Sequence, residues 1–108
     1  YQVRLGNAPV GHKFQQGDER TPEGNYRISG RNPNSRFYLS LRVSYPSDAE
    51  RKQARDRGAD PGGDIMIHGG NSPSLAYDWT DGCIAVTNGE IEEIWSLVPT
   101  GTRIRIVP

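Results

Sequence analysis

From Tyr38 to Tyr45 the sequence runs Tyr-Leu-Ser-Leu-Arg-Val-Ser-Tyr, an alternation that puts Leu39, Leu41, Val43 and Tyr45 on one face of an extended strand. Pro46 stops it, because proline has no N–H to give to a ladder. A strand with one apolar face needs partners, and the chain supplies them. Asn25-Tyr26-Arg27-Ile28-Ser29 alternates in the same way, Ile65-Met66-Ile67 reads as a short central strand, and Thr102-Arg103-Ile104-Arg105-Ile106 as a closing one. Tyr1-Gln2-Val3-Arg4-Leu5 alternates weakly and is expected to be a strand, the second half of a cut hairpin.

Two segments carry helical signals instead. Thr87 followed three residues later by Glu90 forms a capping box, and Ile91, Ile94, Trp95 and Val98 follow at one-face spacing, so a helix over about 87–98 packs on the sheet. Ser47 caps a second helix over about 48–57, with Asp48 and Glu50 early and Arg55 and Arg57 late, matching the helix dipole. It has almost no large apolar side chain and is a surface element.

Between these elements lie turn signals: Thr21-Pro22-Glu23-Gly24, Arg31-Asn32-Pro33-Asn34-Ser35 and Pro61-Gly62-Gly63. Residues 6–24 read as one long loop, of the kind that is functional or ordered by its neighbours. With 13 Gly, 8 Pro and only 33% apolar residues in 108, the chain is one α+β domain, mainly β, spanning 1–108. Thirteen basic residues balance thirteen acidic ones, which disfavours a general nucleic-acid or membrane-surface role. No apolar run approaches the length of a membrane span.

The chain has one cysteine, Cys83, in Thr80-Asp81-Gly82-Cys83-Ile84, and His68 ends the apolar run Ile65-Met66-Ile67. A lone cysteine is commonly a small buried hydrophobe, and a lone histidine a satisfied core-edge residue. Context favours chemistry: Thr80 and Asp81 before Gly82 set the thiol at a turn, and a histidine on a neighbouring strand can meet it. Cys83 is then the nucleophile and His68 the general base and acid. The backbone of Asp81-Gly82-Cys83, Gly82 in particular, is expected to stabilise an oxyanion. Asp81 and the carbonyls of Gly69 or Gly70 are open alternatives for orienting His68. A thiolate nucleophile also calls for a thiol pKa below the free value.

Asp64, His68, Asp81 and Cys83 are metal ligands on paper, but no CxxC, HxxxH or HxH spacing exists, and no metal or cofactor is expected. Trp79, Tyr77 and Tyr45 are candidates to line a substrate groove, although strand-end aromatics often close a core. His12, in the long loop, is a candidate for proximity to substrate.

Ile67-His68-Gly69 followed by Thr80-Asp81-Gly82-Cys83-Ile84 resembles the His…[Ser/Thr]-x-Gly-Cys motif of the L,D-transpeptidase (YkuD) catalytic domain family. Thr21-Pro22-x-Gly24-x-Tyr26 and Val98-Pro99-x-Gly101-Thr102 match that family's turns. Gly11-His12-Lys13, Gly17-Asp18-x-Arg20-Thr21-Pro22-Glu23-Gly24 and Asn32-Pro33-Asn34-Ser35 are similar to its YafK-like branch. The resemblance implies a mixed β sheet or sandwich, lacking here the hairpin that usually opens the domain. It further implies an exported enzyme of the periplasm or cell envelope that acts on peptidoglycan stem peptides. Its cysteine would attack the diaminopimelate carbonyl to form a thioester acyl-enzyme, which an amine or water resolves. This chain has Asp81 where many members have His, Ala85 where many have Arg, and a shorter His68-to-Cys83 interval. Transpeptidation is the leading expectation. Hydrolysis of a diaminopimelate-linked amide, such as a lipoprotein–peptidoglycan bond, is one alternative, and a non-catalytic peptidoglycan-binding module is another.

Overall fold

The computed structural model describes residues 3–6, 8, 10–71 and 80–107. Its elements are β1 (Gly24–Ser35), β2 (Tyr38–Val43), α1 (Asp48–Asp56), β3 (Met66–His68), β4 (Ile84–Ala85), α2 (Asn88–Leu97) and β5 (Arg103–Ile106). The strands form one mixed sheet in the order β4-β3-β2-β1-β5. β2 is antiparallel to both β1 and β3, β5 is antiparallel to β1, and β3 and β4 run parallel. The alternating segment that becomes β2 is therefore the central strand, a position the sequence assigned to Ile65-Met66-Ile67.

Leu41 and Val43 of β2 are buried with Tyr26 and Ile28 of β1 and with Tyr45 and Ile65. α2 closes this face. Its capping box forms as expected, Thr87 Oγ1 accepting from the Glu90 N–H and Glu90 Oε1 from the Thr87 N–H. Ile91 is fully buried, worth about 2 kcal/mol of apolar transfer, while Ile94, Trp95 and Val98 pack partly buried against the core. α1 starts at a second capping box, Ser47 with Glu50, and buries only Ala54. It is the surface element its composition implied.

Two expectations need correction. Arg31-Asn32-Pro33-Asn34-Ser35 is not the turn: β1 continues through it, and the chain reverses at Arg36 and Phe37, between the paired residues Ser35 and Tyr38. The register is irregular between Asn32 and Ser35, so the missing N–H of Pro33 falls where the ladder is already interrupted. The expected N-terminal strand makes, over its described residues 3–5, one isolated bridge, Arg4 with Ala85, and Gly6 just beyond it bridges Thr80.

The long loop before β1 is organised by one buried carboxylate. Asp18 accepts from the backbone N–H groups of Phe14, Gln15 and Arg20 and pairs with Lys13 Nζ at 2.9 Å. Burial pushes its pKa up, but these bonds outweigh burial and hold it at about 2, below the ordinary 3.8.

Candidate active site

Strand pairing sets the two candidate side chains on one cleft. Ile67 lies opposite Ile84 and His68 opposite Ala85 in the parallel β3–β4 pair, so Cys83 enters the sheet beside the end of β3. Both side chains line one cleft of about 530 Å³, whose walls include Arg36, Phe37, Asp64 and Asp81.

The turn that delivers the thiol is tied by a single hydroxyl. Thr80 Oγ1 donates to the Cys83 carbonyl at 2.6 Å and accepts from the Gly82 N–H at 3.2 Å. Gly82 has φ +132, and a Cβ there would lie 2.7 Å from the Arg20 carbonyl oxygen, so glycine is required. The Gly82 amide, expected to face an oxyanion, is thus committed to Thr80 in the resting state. The adjacent Cys83 amide makes no hydrogen bond among the described residues.

His68 is almost fully buried, and its Nδ1 lies 2.6 Å from the Gly69 carbonyl oxygen. A carbonyl can only accept, so Nδ1 carries the hydrogen, and the neutral ring presents Nε2 as its acceptor. Of the orienting groups the sequence left open, this contact belongs to Gly69, while Asp81 lines the cleft wall. Phe37 stacks on the imidazole with ring centroids 4.3 Å apart and planes 19° from parallel. Gly69 makes room for that turn, since a Cβ would meet Asn88 Oδ1 at 2.6 Å and the Phe37 carbonyl oxygen at 2.9 Å.

The electrostatics favour a neutral pair at rest. Burial pushes the Cys83 thiol pKa up, and the carboxylates of Asp81 and Asp64 push it the same way, against the Met66 N–H and distant Lys13. Burial likewise lowers the His68 pKa, with the Gly69 carbonyl partly opposing. The Cys83 thiol donates to the Asp64 carbonyl oxygen at 3.3 Å. The depressed thiol pKa expected for a preformed thiolate is therefore not what these surroundings produce. Both shifts favour the uncharged thiol and the uncharged imidazole over a thiolate–imidazolium pair.

The proposed substrate-facing residues divide. Tyr45 is buried in the core, its hydroxyl donating to the Pro61 carbonyl at 2.7 Å and its ring edge-on to Tyr26. His12 accepts at Nδ1 from the Glu23 N–H and meets Glu50 through Nε2 at 3.0 Å, tying the loop to α1. Neither lines the thiol cleft. Tyr77 and Trp79 lie outside the described residues. Among the described residues no three His, Cys, Asp or Glu side chains are grouped to hold a metal ion. Nor is any described helix long and apolar enough to cross a membrane.

Arg36 and Phe37 were not singled out from sequence. The signal that reveals them is the pairing of Ser40 with His68, which sets the β1–β2 turn above the histidine, and that contact is not local in the chain.

With this geometry in place, comparison with known proteins is specific. The family model of the L,D-transpeptidase catalytic domain (YkuD) matches residues 1–106. "Putative L,D-transpeptidase YafK" of Escherichia coli K12 is 31% identical over 106 residues, covering 96% of this chain and 38% of that protein. "Putative L,D-transpeptidase YkuD" of Bacillus licheniformis is 30% identical over 95 residues, covering 82% of this chain and 46% of that protein. The chain therefore spans less than half the length of these relatives. Among solved structures, the helical cell shape determining protein Pgp2 (K307A mutant) of Campylobacter jejuni superposes with a TM-score of 0.75 at 27% identity, covering 96% of this chain and 36% of that one. An L,D-transpeptidase from Xylanimonas cellulosilytica shares the fold, with a TM-score of 0.62 at 19% identity over 97% of this chain and 48% of its own.

Proposed function

Because this chain belongs to the L,D-transpeptidase (YkuD) catalytic domain family, we propose that it performs cysteine-dependent acyl transfer on peptidoglycan stem peptides in the cell envelope. The observation that carries the reading is the shared cleft of Cys83 and His68, with Nδ1 of the histidine held by the Gly69 carbonyl so that Nε2 is the basic nitrogen of the ring.

The sequence of events follows from those groups. The thiol leaves the Asp64 carbonyl and gives its proton to His68 Nε2 as sulfur attacks the carbonyl carbon of the diaminopimelate residue. The tetrahedral oxyanion is met by the Cys83 N–H, joined by the Gly82 N–H once it leaves Thr80 Oγ1. His68 returns the proton to the departing amine, leaving a Cys83 thioester. An incoming amine or water then loses its proton to His68 and displaces the thiolate, which regains a proton. The name of the Campylobacter jejuni relative, a helical cell shape determining protein, agrees with a role in shaping the wall.

Incubation of the domain with purified sacculi, followed by mass spectrometry of the products, tests this. New cross-links identify an amine acceptor and a transpeptidase. Released tetrapeptide or tripeptide, or a freed lipoprotein, identifies water and a hydrolase. Both outcomes require Cys83, so Cys83→Ala should abolish them with the fold intact. Retention on sacculi with no acyl adduct, equal in Cys83→Ser, would instead make the domain a binding module.

A further inference from the structure

Among the described residues lining the thiol cleft, Arg36 is the only one with a permanent positive charge. It stands exposed at the β1–β2 turn, a position fixed by the Phe37 N–H donating to Ser35 Oγ at 3.1 Å. Its guanidinium carbon lies 5.5 Å from the Phe37 ring centroid, and Phe37 in turn covers His68. The arginine is thus carried on the same aromatic platform that holds the general base.

The cleft contains two carboxylates, but neither pairs with Arg36. Asp64 is engaged by Arg42 from β2 at 3.0 Å, and no ion pair among the described residues includes Arg36 or Asp81. An arginine laid over an aromatic face is partly preordered, so less freedom is lost when it closes on an anion. Its planar fork matches a carboxylate through two parallel N–H···O bonds, a geometry no neutral amide can match.

We propose that Arg36 is the carboxylate-recognition residue of this cleft, taking a carboxylate on the acyl donor and so aligning the scissile carbonyl with Cys83. This deepens the acyl-transfer reading and rests on it for the identity of the donor. It assigns the cleft a charge preference: a donor with a free carboxylate beside the reacting amide is accepted over its carboxamide counterpart. Without Arg36, Asp64 and Asp81 would make the cleft repel anions.

The single cysteine makes the preference measurable without natural substrate, since all alkylation reports on Cys83. The rates with iodoacetate and with iodoacetamide are measured by mass spectrometry, and their ratio is compared among the unaltered protein, Arg36→Gln and Arg27→Gln. Arg27 carries the same charge but lies on the far side of the sheet, paired with Arg103 of β5. Arg36→Gln should lower the iodoacetate-to-iodoacetamide ratio by about three- to fivefold, the scale of one partly exposed charge pair, while Arg27→Gln changes it by less than about twofold. An unchanged ratio in Arg36→Gln, or an equal fall in both variants, would overturn the proposal. Acyl-enzyme formation on muropeptides is scored separately with the unaltered protein. No adduct there with a lowered ratio in Arg36→Gln rejects acyl transfer and keeps the anion site. An adduct with an unaltered ratio does the reverse.

Discussion

Phe37 lies flat on His68, with ring planes 19° apart, although Phe37 sits in the β1–β2 turn and His68 ends β3, with β2 and α1 between them in the chain. The stack shields the imidazole from water on one side, while the Gly69 carbonyl fixes its rotation in the plane. An imidazole held this way has its orientation determined by packing and its tautomer by one backbone atom, as the proposed role of general base requires.

Replacing Phe37 with Ala should therefore loosen the His68 ring more than the fold. Loss of half-buried aromatic area is expected to cost about 2 kcal/mol of stability. Turnover should fall by about tenfold or more through misplacement of the ring. Because burial is the main cause of the low His68 pKa, uncovering the ring should raise it toward the ordinary value, which the acidic limb of the pH–rate profile will show.

The thiol titration carries its own sign. Burial, then the carboxylates of Asp81 and Asp64, raise the Cys83 pKa, so alkylation by iodoacetamide should keep accelerating above the pH at which a free cysteine has ionised. Asp81→Asn removes one of the raising charges and should increase the rate at neutral pH. Stopped-time alkylation across pH checks both points. A midpoint below that of a free thiol would contradict the electrostatics described for this cleft.

Stability should depend on pH through His68. Its folded pKa is depressed, so the unfolded chain binds the proton more readily. Stability is then full above the ordinary histidine pKa of 6.5 and is lost as pH falls through the lower folded value. Thermal melts between pH 7 and 5 should show a decline in Tm that His68→Gln reduces.

Asp18 acts at lower pH. With a folded pKa of about 2 against 3.8, its carboxylate stabilises the protein above pH 3.8 and loses that contribution toward pH 2. The size is roughly 2 kcal/mol. Asp18→Asn should cost a similar amount at pH 7 and flatten the acid limb of the denaturation curve, measured by urea unfolding at several pH values.

What could be read from the sequence was what depends on near neighbours. Thr87 and Glu90 are three residues apart, and Leu41 and Val43 two, so the capping box and the buried face of β2 follow from local chemistry alone. Pro33 misled because a proline in a turn-like cluster gives no sign that the facing strand will tolerate an interrupted ladder. Phe37 and Arg36 acquire their roles only once β2 has paired with β3. The raised thiol pKa depends on burial and on Asp64, brought next to Cys83 by the start of β3. Tyr45 and His12, which composition made plausible beside substrate, are instead committed to the core and to Glu50.

Thr80 gives its hydroxyl hydrogen to the Cys83 carbonyl and receives one from the Gly82 amide. One oxygen in two opposite roles calls for a hydroxyl on Cβ, which only threonine and serine carry. Serine preserves both roles. Valine, the same shape without the oxygen, would take a partner from both the Gly82 amide and the Cys83 carbonyl, on the turn that carries the thiol.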